Sequence, residues 1–213
     1  VPAGFTPTNM DAVFAVLKAS GFKLYEITRT LNGQPIISYV LATDDFGEQF
    51  PVTVADGEIT KIHNADFVRD EATGIITIAS YELREGEFVL VERTFTPVTA
   101  ENLNEATKLP EVKGLTLYEM KTAVSKLNGA LLEAESAFVF SNKTLSTILG
   151  AVVEAGEIRG ITVASDQNEK TGTITIEAYH LQNGEFMRVK SIYEILANPT
   201  NLDQVRTQLG NDN

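Results

Sequence analysis

Histidine, the side chain most often used as a base or metal ligand, occurs only twice in this 213-residue sequence, at His63 and His180, and no cysteine accompanies it. They stand at non-equivalent places of an internal repeat. Neither belongs to a serine, histidine and acid grouping that positions alone could argue for, so both read as strand or turn residues rather than bases or ligands. Without cysteine, a disulfide framework and a thiolate metal site are both excluded. Asp166-Gln167-Asn168-Glu169-Lys170 resembles the start of a calcium loop, whose oxygen ligands alternate around a tight turn. Its fifth position is lysine, however, and glycine comes one place late at Gly172, so a solvated turn is the better reading. Asp44-Asp45 also reads as a turn. Asn142-Lys143-Thr144 matches the acceptor pattern for N-glycosylation, which matters only in a eukaryotic secreted setting. Glycine-rich phosphate loops are missing. The expectation is therefore no catalytic, cofactor-binding or metal-binding residues and no cofactor, with a carboxylate-only enzyme as the remaining catalytic option.

A formal charge of −12 and a pI near 4.6 argue against a protein that must neutralise phosphates, so no direct nucleic-acid contact is expected. The acids are dispersed and read as solubilising surface charge. At 43% hydrophobic residues the chain can bury a sizeable core. No run approaches the roughly 18 apolar residues of a membrane span, and none is expected.

With so little chemistry in the side chains, the architecture carries most of the information. Thr73 to Val91 recurs as Thr171 to Val189. Thr73/Thr171, Gly74/Gly172, Ile76/Ile174, Thr77/Thr175, Ile78/Ile176, Tyr81/Tyr179, Leu83/Leu181, Gly86/Gly184, Glu87/Glu185, Phe88/Phe186 and Val91/Val189 are identical at one offset. Val54, Gly57, Glu58, Ile59 and Ile62 reappear as Val153, Gly156, Glu157, Ile158 and Ile161, at an offset one residue larger. The second copy has thus lost a residue, expected in the polar connector Asn64 to Ala72 or its counterpart Ala164 to Lys170. Glu101-Asn102-Leu103-Asn104 and Thr200-Asn201-Leu202-Asp203 suggest a short polar helix closing each unit. The expected units are residues 1–109 and 110–213, a usual domain size.

Val1 to Thr8 reads as an extended arm, with Thr8 or Asn9 capping a helix whose buried stripe is Met10, Val13, Phe14, Val16 and Leu17, stopped at Gly21. Phe22 to Leu31 and Pro35 to Ala42 read as strands joined by an Asn32-Gly33 hairpin turn. Phe50 to Val54 and Glu58 to His63 should follow as two more. In the second unit a helix is expected over Thr116 to Leu127, a strand over Ala130 to Phe140, and another helix through Leu145, Ile148, Leu149, Val152 and Val153. The fold class expected is α+β, a tandem duplication of a unit with one N-terminal helix packed on an antiparallel β-sheet of hairpins.

A two-residue turn at Asn183-Gly184 pairs Gln182 with Glu185 and so sets Glu177 opposite Lys190 and Tyr179 opposite Arg188. One face then carries Ile174, Ile176, Ala178, Met187, Val189 and Tyr193 toward the core. The other carries Thr173, Thr175, Glu177, Tyr179, Arg188 and Lys190 toward solvent. In the first copy the core face is Ile76, Ile78, Val89, Val91 and Phe95, but its opposite face, Ile75, Ala79, Tyr81, Leu83, Phe88 and Leu90, is apolar. Something must cover it. The other unit, the N-terminal arm or another chain is expected there, the alternative being the first unit's own longer Phe22 to Phe50 segment. The function expected is a non-catalytic structural or interaction protein, such as a virion or other assembly component, through a protein partner or self-assembly. The alternative is a ligand-binding or adhesive module of an exported protein; the location stays open, with a virion or extracellular one favoured.

Overall fold

A computed structural model describes residues 6–195 of the chain. It is 61% strand and only 6% helix, so the α+β expectation is corrected to a predominantly antiparallel β fold. The first half runs α1 (Met10–Leu17), β1 (Lys23–Leu31), β2 (Gln34–Ala42), β3 (Gln49–Ala55), β4 (Glu58–Arg69), β5 (Ile76–Arg84) and β6 (Glu87–Pro97). The second runs α2 (Leu103–Ala106), β7 (Thr116–Lys126), β8 (Leu131–Ser141), β9 (Ile148–Glu154), β10 (Glu157–Asn168), β11 (Thr173–Gln182) and β12 (Glu185–Tyr193). Strand order in the sheet follows chain order throughout, as in a meander. Two compact units divide the chain differently from the sequence repeat. One ends at Val98 and also takes in Tyr118–Ala137; the other comprises Thr99–Leu117 and continues from Phe138.

Both helices expected in the second half after Leu109 are strands. Thr116 to Leu127 forms β7, and the stretch around Ile148 to Val153 forms β9. In β7 both Leu117 and Tyr118 are buried, so neighbouring residues face into protein on either side and the alternation that marks a strand is lost. In β9, Leu149, Ala151 and Val153 point inward while Ile148 and Val152 stand exposed, and these two outward apolar residues created the helical spacing. Asn128-Gly129 is accordingly a strand-to-strand turn, with the Asn128 side-chain oxygen accepting from the Ala130 amide at 3.0 Å. The polar helix around Asn102 is the four-residue α2. Its counterpart at Thr200 to Asp203 lies outside the described residues.

The hairpin registers follow from turn chemistry. Asn32 and Gly33 adopt φ of 51° and 79°, and Asn183 and Gly184 adopt 51° and 81°, the left-handed pair a type I′ turn requires. Gln182 pairs with Glu185, Glu177 with Lys190 and Tyr179 with Arg188. The one-residue offset between the two recurring segments falls inside a strand rather than in a connecting turn. Between Ile62 and Asp66, β4 carries two more residues than its partner segment Ala79–Tyr81, whereas between Thr162 and Ala164 β10 carries one more than Glu177–Ala178. A β-bulge absorbs an odd residue without disturbing the ladder beyond it.

Several local geometries recur at corresponding positions of the two halves. Asn9 sits at the N-cap position of α1 but makes no cap bond to the helix. Instead its carboxamide clasps β4, donating to the Ile59 carbonyl and accepting from the Ile59 amide, both at 2.9 Å. Asn102, before α2, clasps Ile158 in the same way at 2.9 and 2.8 Å. Beside these clasps the Thr8 amide donates to the Gly57 carbonyl and the Glu101 amide to that of Gly156. Gly21-Phe22-Lys23-Leu24-Tyr25-Glu26 and Gly114-Leu115-Thr116-Leu117-Tyr118-Glu119 enter β1 and β7 alike, as Leu31-Asn32-Gly33 and Leu127-Asn128-Gly129 leave them.

Candidate interaction surface

Phe88, 5% exposed, belongs to a core of Val13 and Val16 from α1, Phe22, and Leu41, Val52, Ile59 and Ile62 from β2 to β4. Tyr81 and Leu83 pack against the same cluster, while Ile75, Ala79 and Leu90 are half-buried. The cover over Tyr81, Leu83 and Phe88 is therefore α1 and the preceding strands of the same unit. An external cover is not needed for these three. Leu90, between Tyr81 on β5 and Ser125 on β7, continues the same face.

The corresponding face of the second unit is closed by charge. Tyr179, expected in solvent, is 7% exposed, and its hydroxyl donates to Glu111 Oε2 at 2.9 Å. The Arg188 guanidinium lies over the Tyr179 ring, 5.7 Å from its centroid, donates to Glu177 Oε2 at 2.7 Å from Nη2, and pairs with Glu111 from Nη1. The physical reason for the difference between the two hairpins is the covering segment. Eight-residue α1 offers apolar side chains; α2 has four residues, and the loop after it offers Glu111. Leu90 in one copy and Arg188 in the other each match the cover they receive.

Glu111 is held below the usual carboxylate range, first by its own backbone N–H, then by the Tyr179 hydroxyl and the Arg188 guanidinium. Burial, and then Glu111 itself, pushes the Tyr179 hydroxyl up. A carboxyl whose folded value is depressed stabilises the fold fully above its unfolded value, 4.5, and ceases to do so as pH falls through the folded value. Glu111→Gln should therefore lower stability at neutral pH and flatten its loss on acidification below about pH 4.5; urea unfolding at stepped pH reads both. An unchanged acid limb in the variant would show that the Glu111 cluster contributes nothing.

The other polar residues singled out in the sequence lie in turns or on strands. His63 Nε2 lies 2.8 Å from Thr53 Oγ1, and burial with nearby Lys61 lowers its pKa. His180 is exposed on β11. Asn168 Oδ1, within the calcium-like stretch, accepts from the Lys170 and Thr171 amides and so closes a turn. Asp45 accepts from the Thr43 hydroxyl and the Gly47 amide, contacts that lower its pKa, and Asp44 pairs with Lys23. Asn142, the glycosylation-pattern residue, bonds Ser146 through both ends of its amide. An open cleft of about 500 Å³ beside α1 is lined mainly by Ala12, Ala15, Val16, Phe88 and Leu127, with Glu87 and Lys126 as the titratable residues on its wall.

Large apolar side chains stand exposed instead on strand ends. The β1–β2 hairpin carries Leu31, Ile36 and Ile37, and the β7–β8 hairpin carries Leu127, Leu131 and Leu132, all between 45% and 63% exposed. β3 pairs with β2 only from Tyr39 to Ala42, and β9 with β8 only from Phe138 to Ser141. β2 and β8 thus run past β3 and β9 toward apolar tips, while β7 stays paired with β6 as far as Lys126. On the last strand, Met187 and Tyr193 were expected in the core but are 48% and 57% exposed. No helix among the described residues is long and apolar enough to cross a membrane. No protein-family model matches the chain, and no curated protein or solved structure is significantly similar to it.

Proposed function

We propose that the protein is a non-catalytic structural or interaction component of a macromolecular assembly, a virion being one such assembly, and that it acts through protein–protein contacts. The observation that carries this reading is the pair of apolar hairpin tips where β2 outruns β3 and β8 outruns β9. Equivalent Leu-Asn-Gly turns in the two halves each present exposed leucine or isoleucine side chains on strand segments with a free edge. A lone exposed leucine is ordinary, but apolar clusters repeated on strand segments that outrun their neighbour mark surfaces that another protein covers. The acidic surface, with a formal charge of −12, supports partners other than nucleic acid.

Ile37→Lys combined with Leu131→Lys tests the reading, because both side chains are exposed and such substitutions change stability by only about 0.5 kcal/mol. In extract of the source, the wild-type chain should sediment with a body larger than itself, and the variant should sediment alone. A wild-type chain that sediments alone under native conditions contradicts the proposal.

A further inference from the structure

We propose that β12 of one molecule pairs antiparallel with β1 of a second copy of this chain, joining molecules head to tail. The inference deepens the assembly reading and rests on it. The template for the contact is inside the chain. β6, closing the first half, pairs from Val89 to Pro97 with β7, opening the second, from Lys126 back to Tyr118. β12 is the sequence counterpart of β6, and β1 is the counterpart of β7 through the shared Leu-Tyr-Glu at Leu24 and Leu117. The correspondence continues past the end of β12, where Ile195 lies over Gly172 as Pro97 lies over Gly74. Among the described residues, however, the ladder of β12 is with β11 alone and that of β1 with β2 alone.

Side chains that are buried along β6 and β7 are bared at the two sheet ends. Val89 and Phe95 are 4% and 0% exposed, while their counterparts Met187 and Tyr193 are 48% and 57% exposed. Ile192 and Ile195 add 59% and 63% exposed apolar groups to the same edge. On the other edge, Leu24 and Tyr25 are half-buried where Leu117 and Tyr118 are buried. Edges without a second ladder among the described residues, and with this much exposed apolar surface, are templates for another strand. A strand that fits the β12 edge, in sequence and register, is β1 of the same protein. The two edges differ, so the contact is heterologous and closes into a ring or grows into a filament according to the rotation between molecules.

Carrying over the β6–β7 register places Tyr193 opposite Ile27 and Ile195 opposite Tyr25. The net charge of −12 on each molecule opposes association, so added salt should strengthen it.

Sedimentation velocity of the full chain, over a wide concentration range and at low and high salt, tests this directly. The wild type should sediment faster as concentration and salt rise. Tyr193→Lys and Ile27→Glu should each lower the association constant about tenfold or more, roughly 1.4 kcal/mol, with far-UV circular dichroism unchanged. The Tyr193→Lys/Ile27→Glu double variant should recover association, since lysine then meets glutamate across the junction. A wild type that stays monomeric under every condition, association that survives both single variants, or a double variant no better than either single one would overturn the proposal. If the monomeric wild type still sediments with a larger body in source extract, self-pairing alone fails; if it sediments alone there too, the assembly reading fails with it.

Discussion

Phe88→Ala is expected to cost about 3–5 kcal/mol of folding stability, while the same substitution at its sequence-identical counterpart Phe186 should cost less than half as much. Phe88 is 5% exposed within the cluster that α1 completes, whereas Phe186 is only half-buried on a face covered by a shorter helix and a charged loop. The same contrast governs Leu90→Arg. With α1 and β1 to β4 covering Tyr81, Leu83 and Phe88, a guanidinium beside them is left without a carboxylate like Glu111. The variant should lose stability rather than association. Urea unfolding and sedimentation of the same samples separate these outcomes. Equal costs for Phe88→Ala and Phe186→Ala would show that the covering segment does not set the difference.

Asn9→Ala and Asn102→Ala should each destabilise the protein by about 1–3 kcal/mol, because each leaves a strand amide and carbonyl without their side-chain partner. Ile59 and Ile158, whose backbone groups the two asparagines hold, are both 0% exposed, so water has poor access to replace the lost bonds. Asn102→Asp keeps the acceptor for the Ile158 amide but loses the donor to its carbonyl, and should fall between wild type and alanine. Thermal unfolding of the three variants gives the ranking; an alanine variant as stable as wild type would mean the clasp is replaced by solvent.

Where turn chemistry decides the backbone, the fold was legible in the sequence. Asn32-Gly33 and Asn183-Gly184 fix two hairpins, and the second fixes every cross-strand pair from Gln182 back to Ile174. It was illegible where a strand is buried on both faces or exposes apolar residues outward. β7, with Leu117 and Tyr118 both buried, and β9, with Ile148 and Val152 both exposed, imitate helices for these opposite reasons. A usable signal for β7 was present: the likeness of Gly114 to Glu119 to Gly21 to Glu26 marks it as the counterpart of a segment that reads as strand. The apolar face on β5 and β6 is readable from the sequence, and so is α1 as an amphipathic helix. What sequence alone could not supply was that this helix lies over Phe88, a contact between residues far apart in the chain. The Tyr179, Arg188, Glu111 cluster was missed for the same reason, as Glu111 is 77 residues from Arg188.

Hydrogen–deuterium exchange followed as a function of protein concentration bears most directly on the claim that this protein works through its strand edges. In dilute solution the amides on the outer edges of β1 and β12 should exchange fast, and the inner strands β4, β5 and β10 slowly. On concentration into the assembled state, protection should rise selectively on β1 and β12 while the inner strands stay as they were. Edge amides that exchange equally fast at every concentration would contradict the account.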